Sequence, residues 1–135
     1  MAEAIKHAAA RARKAARVAA VLLASSAHAG PLVVRDDHGG GVADYFQRYL
    51  TSGPVEIVGL CESACTLALA DPRTCVTPDA RLGFHEASNP DGTRFMWLMM
   101  PERVQFWIAT HGGLTPRVVE MSGREAINLG VRACR

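Results

Sequence analysis

After Lys14 the chain contains no lysine. A Ser-Lys dyad, a Schiff-base lysine and a pyridoxal site are therefore excluded from everything beyond that residue. Long apolar runs are missing too: Val18 to Ala24 (VAAVLLA) falls far short of the roughly twenty residues that a membrane helix needs. No second close Cys/His pair accompanies Cys61 and Cys65, which argues against zinc, so no metal or cofactor is expected. Beyond the alanine-rich leader no internal repeat or low-complexity tract occurs.

The first 29 residues differ in kind from the rest. Lys6, Arg11, Arg13, Lys14 and Arg17 precede the apolar run, and Ala27-His28-Ala29 is a small-x-small site before Gly30. That order predicts a secretory signal peptide over 1–29 and one domain over 30–135; an alanine-rich helix or an Arg-rich organelle presequence is the alternative. No stable membrane span remains after cleavage. Five of the fifteen basic residues and one of the thirteen acidic ones lie in the leader, leaving ten basic against twelve acidic. A mildly acidic domain has no electrostatic footprint for nucleic acid. All four cysteines, Cys61, Cys65, Cys75 and Cys134, follow the leader, and an even count in an exported chain predicts disulfides with the pairing left open.

The pattern downstream alternates strand with helix. Strands are expected at Leu32–Arg35, Val55–Leu60, Thr74–Val76 and Arg81–His85, the first followed by a glycine-dense turn, Asp36 to Gly41. Helices are expected at Val42–Leu50, Ala64–Ala70, over one long stretch from Phe95 to Thr110, from Thr115 to Met121, and from Ser122 to Leu129. Asn89-Pro90-Asp91-Gly92 reads as a turn. This alternation predicts a single α/β domain with a mostly parallel sheet flanked by helices. The stripe of Met96, Met99, Met100, Val104 and Trp107 reads as core or subunit interface.

Chemistry concentrates in GLCESACTLALA, residues 59–70, where a strand runs into a helix. A serine there stands over free backbone N–H groups and the positive end of the helix dipole, so Ser63 reads as helix N-cap and as nucleophile at once. A serine nucleophile needs a base, and the candidates are His38, His85 and His111. His85 ends an apolar strand, at the sheet edge where α/β sites gather. The Gly39-Gly40-Gly41 turn can bring backbone amides close to a ligand because no Cβ obstructs them.

Together these segments resemble the proteolytic subunit of Clp protease and the wider Clp-like/crotonase-like superfamily, nearest a branch of small exported proteins with the pattern C-x-S-A-C-T. The family's DSPGG-V corresponds to Asp37-His38-Gly39-Gly40-Gly41-Val42, and its nucleophile turn G-x-A-x-S-M to Gly59–Ala64. The family's R-x-x-x-P-x-A-R-x-x-x-H corresponds to Arg73–His85, and E-A-x-x-x-G to Glu125–Gly130. The match spans roughly 32 to 131. The resemblance implies a Clp/crotonase-like fold, Ser63 as nucleophile, His85 as general base, and an oxyanion hole from the amides of Ala64 and of Gly39 or Gly40. At the family's aspartate this chain carries Val118 or Ser122, and Glu120 between them is the acid available to orient His85. The implied function is an exported, periplasmic or secreted serine hydrolase of the peptidase type acting on a peptide or protein. A silent Clp-fold module binding a peptide or protein, and crotonase-like acyl chemistry, are the alternatives. Export implies no ATP-driven unfoldase as partner, and the apolar Phe95–Thr110 segment is the surface through which copies would associate.

Overall fold

Two runs rich in aliphatic and β-branched residues, LVVRDD and VEIVGLCE, form the parallel pair at the centre of the fold. The computed structural model describes residues 30–135; the leader 1–29, with its expected export signal, lies outside the described residues. Strand β1 (Leu32–Asp37) runs beside β2 (Val55–Glu62), from Leu32 opposite Val55 to Asp37 opposite Cys61. The register shifts between Val34 and Asp36. Gly59 faces that shift, where a Cβ would collide with the Arg35 carbonyl, so the irregularity requires glycine.

The opposite edge of β2 is shared by two short parallel strands. β3 (Cys75–Val76) pairs with Glu56 and Ile57, and β4 (Arg81–Phe84) pairs with Leu60 to Glu62. Beyond them β5 (Val119–Ser122) adds to β4 antiparallel, and β6 (Arg132–Ala133) adds to β3 in parallel. The result is an α/β domain with a mixed, curled six-stranded sheet flanked by helices. The helices are α1 (Val42–Ser52), a 3₁₀ helix (Ser63–Ala70), α2 (Pro90–Met99), α3 (Glu102–Thr110) and α4 (Gly123–Asn128). Ile57, Leu82, Phe84 and Met121 from the sheet join Met96, Val104 and Ile108 from the helices in one fully buried cluster. Each such side chain contributes roughly 1.5–3 kcal/mol by leaving water.

Several elements differ from expectation, each for a local reason. The long helix over 95–110 is two helices, because Pro101 lacks an N–H and drives Met100 into extended backbone, φ −72° and ψ 142°. The expected turn at Asn89–Gly92 instead starts α2. The Asn89 side chain accepts the Gly92 amide at 2.8 Å, and Pro90 takes the first helical position. Residues 119–122 are strand where helix was expected: Met121 is buried while Glu120 faces out, an alternation too short to be told from a helical face. Strand β6 was not foreseen. The methionine stripe lies in the core through Met96, Met100 and Val104, so on the segment expected to bind a second copy the large apolar residues left exposed are Leu98 and Phe106.

Both cysteine pairs are disulfides. Cys61–Cys65 closes a short loop, and Cys75–Cys134 ties the chain end to β3 across 59 residues. In the chain-entropy account the long loop contributes about 4 kcal/mol and the short one about 2 kcal/mol. The Cys75→Ala/Cys134→Ala double variant is therefore expected to lose more stability than Cys61→Ala/Cys65→Ala in urea denaturation. The reverse order would mean that the short bridge does more than close a loop.

Candidate active site

The three parallel strands β1, β2 and β4 point their C-terminal ends the same way, and the residues just past those ends converge. Asp37 ends β1 before His38-Gly39-Gly40-Gly41, Glu62 ends β2 before Ser63, and Phe84 ends β4 before His85. In parallel sheets this edge collects binding sites. Here it borders a cavity of about 940 Å³, lined by the glycine turn, Ser63, His85 and the 86–89 loop, with Phe46 and Phe95 on its apolar wall. Those two rings meet edge to face at 5.0 Å.

Ser63 is the one residue other than glycine with positive φ among the described residues, at 58°. The left-handed region costs a residue with a Cβ roughly 1–2 kcal/mol, so its surroundings must hold it. Three contacts do. The Cys61–Cys65 bridge spans the turn, the Thr66 hydroxyl donates to the Ser63 carbonyl at 2.7 Å, and Gly39 presses on it from the neighbouring loop. A Cβ at residue 39 would stand 2.6 Å from the Glu62 carbonyl oxygen and 2.7 Å from Ser63 Cβ. Gly39 itself has φ 83°, so the close approach and the backbone both select glycine. The capping role expected of Ser63 is absent: Glu62 occupies the N-cap position, extended, and no side chain caps the 3₁₀ helix. Ser63 Oγ is thus not consumed by capping, and Ser63 lines the cavity.

His85 is half-buried, and its Nδ1 lies 2.7 Å from the Glu86 carbonyl oxygen. A carbonyl only accepts, so Nδ1 carries the hydrogen and the neutral ring presents Nε2 as an acceptor. Among the described residues no hydrogen bond joins Ser63 to His85; what they share is the cavity. Glu120 does not reach this place. It stands on β5 opposite Gly83, 3.8 Å from Arg81, and faces another groove with Trp107 and His111. Val118 and Ser122 are no substitute, since Ser122 caps α4 in a reciprocal bond pair with Glu125. The backbone carbonyl of Glu86 orients the imidazole instead. His111 stacks on Trp107 at 3.8 Å and donates Nδ1–H to its carbonyl, ending α3 away from the cavity. His38 lines the cavity but is largely exposed beside Asp36.

Of the expected oxyanion donors, the Gly39 amide is occupied by Asp37 Oδ1 at 2.8 Å. The amides of Gly40 and Ala64 donate to no acceptor among the described residues. Ala64 is fully buried behind Ser63, while Gly40 lines the cavity. Tyr45 and the Glu86 carbonyl are the parts that residue patterns do not single out, and Asp37 stands in the glycine motif without a role assigned to it. Tyr45 lies one helical turn past the glycines, between Asp44 and Phe46, and a tyrosine at that spacing carries no signal beyond helix.

Burial, and then the neighbouring Asp37 carboxylate, hold the Tyr45 phenol above its usual range, and burial does the same for Tyr49. Both therefore stay protonated donors at ordinary pH. A folded pKa above the unfolded one stabilises fully below about pH 10 and is lost above it, because the unfolded chain ionises first. Denaturant midpoints are expected to fall more steeply above pH 10 in the wild type than in Tyr45→Phe/Tyr49→Phe. Parallel pH profiles would show that these phenols do not couple to folding.

A scan against protein-family models and a search of curated proteins find no match for this chain.

Proposed function

We propose that the chain is an exported Clp-like serine hydrolase of the peptidase type, with Ser63 as nucleophile and His85 as general base. The observation that carries this reading is the pairing at one cavity of a serine held in left-handed backbone with a histidine whose Nε2 is left as acceptor. The motif segments that resemble the family, the glycine turn, the serine turn and the strand delivering histidine, all border that cavity. The parallel run of β1, β2 and β4 supports a Clp/crotonase-like arrangement of the sheet. Two disulfides support an oxidising compartment, periplasmic or extracellular.

The chemistry follows from the groups present. Ser63 Oγ attacks the carbonyl carbon of an acyl substrate while its proton passes to His85 Nε2. The Gly40 amide, unpartnered and on the cavity wall, is the donor that supports an oxyanion site, and the unpartnered Ala64 amide would be the second only if the substrate reaches past Ser63. Collapse expels an amine or alcohol, which takes that proton, and water activated by the same nitrogen then releases the acid and restores Ser63. The Glu86 carbonyl holds the imidazole tautomer but carries no charge, so it stabilises the imidazolium less than a carboxylate would. Slow turnover is the expected consequence.

A second reading, a catalytically silent module that binds a peptide or protein in the same cavity, draws on the missing Ser63–His85 hydrogen bond. Labelling by a fluorophosphonate probe separates the two. Wild type is expected to label, Ser63→Ala not at all, and His85→Ala at least about 10²-fold more slowly, the scale of losing a general base. If no Ser63-dependent labelling occurs at any pH or redox poise tried, the hydrolase reading falls.

A further inference from the structure

Helix α1 grips both sides of the proposed site through two tyrosines one turn apart. Tyr45 Oη donates to Asp37 Oδ1 at 2.5 Å, and that same oxygen accepts the Gly39 amide at 2.8 Å. Tyr49 Oη donates to the Cys65 carbonyl at 2.9 Å, two residues past Ser63. The two rings meet edge-on at 5.9 Å. Arg48 lies over the Tyr45 ring at 4.6 Å, with Nη1 3.9 Å from Asp37 Oδ2. Asp37, Tyr45 and Tyr49 do not line the cavity, so whatever they do for the reaction passes through Gly39 and Ser63.

We propose that Asp37 and Tyr45 are positioning residues of the proposed hydrolase. The Asp37 Oδ1 atom removes the Gly39 amide from competition for an oxyanion and leaves the Gly40 amide, together with that of Gly41, unpartnered in the glycine turn. It also fixes Gly39 at φ 83°, the conformation that packs it against Glu62, Ser63 and Ala64. Tyr45 fixes Asp37 in turn. A loosened turn would lose both the donor and the packing that holds Ser63 in its left-handed conformation. Because one oxygen accepts both bonds, its charge is secondary. An asparagine carbonyl in the same place can accept both, while alanine can accept neither. The exposed Arg48 contact at 3.9 Å adds little.

This inference rests on the hydrolase reading, and the test keeps the two apart. Wild type, Ser63→Ala, Asp37→Asn, Asp37→Ala and Tyr45→Phe are compared for fluorophosphonate labelling and for kcat and KM on a p-nitrophenyl ester. Temperatures are chosen so that urea curves show each variant folded. Asp37→Ala is expected to lose about 10²-fold in kcat with KM nearly unchanged, the scale of one oxyanion donor. Asp37→Asn is expected to recover most of that loss. Tyr45→Phe, the milder change, is expected to fall between them. Hydrogen exchange at the Gly39 amide should quicken in Asp37→Ala and stay slow in Asp37→Asn.

The outcomes that overturn the inference are distinct. If wild-type labelling is independent of Ser63, the hydrolase reading falls and this inference with it. If Ser63-dependent labelling persists undiminished in folded Asp37→Ala and Tyr45→Phe, the positioning role is wrong while the hydrolase stands. If Asp37→Asn loses as much as Asp37→Ala, the carboxylate charge matters and the two-bond account is wrong.

Discussion

Strand β2 has more partners than edges. From Val55 to Cys61 it is paired to β1 on one side, with one register shift, and its other side is divided between β3 near the start and β4 near the end. That division curls the sheet and places the end of β4 beside the end of β2. His85 leaves one strand where Ser63 leaves the other. The end of β1 is brought level by the same pairing, with Asp37 opposite Cys61, so the glycine turn lands against the serine turn. A cavity at this edge is a consequence of register.

Convergence alone does not put a serine in left-handed backbone. The turn is held locally by the Cys61–Cys65 bridge and the Thr66 hydroxyl, and from outside by Gly39. Gly39 is held by Asp37, Asp37 by Tyr45, and Tyr45 by the burial of its ring on α1. The backbone energy stored at Ser63 is of the order of 1–2 kcal/mol, which contacts of this kind can offset. The other disulfide acts elsewhere, anchoring the chain end and the two-residue strand β6, which has little else to keep it in place.

The elements visible in residue patterns were those whose signals are local and long enough. β1, β2 and α1 follow from aliphatic runs and helical spacing between glycine and proline breaks, and the strand-to-helix change around Ser63 is plain in GLCESACTLALA. The failures were local rules outweighed by neighbours. Phe95 to Thr110 kept its helical period through Pro101, yet the missing N–H and the constraint on Met100 divide it. Val119–Ser122 is too short for periodicity to separate strand from helix, and only pairing with β4 makes it strand. Arg132–Ala133 carries no strand signal of its own and is ordered by β3 and the Cys75–Cys134 bridge.

The candidate site divides the same way. Residue type and order determined that a serine and a histidine follow strands, that a glycine turn precedes α1, that no lysine is present beyond Lys14, and that four cysteines fit an oxidising compartment. Tertiary structure decided what those residues face. It paired Cys61 with Cys65 around the serine, left Ser63 uncapped, occupied the Gly39 amide, and gave His85 a backbone carbonyl where an acid was sought. Glu120 went to Arg81 because antiparallel pairing of β5 with β4 sets it opposite Gly83, facing a different groove. The physical reason is that composition and spacing specify which groups exist and which local backbone they favour. A hydrogen-bond partner is a matter of distance and direction, and only the packed sheet supplies those.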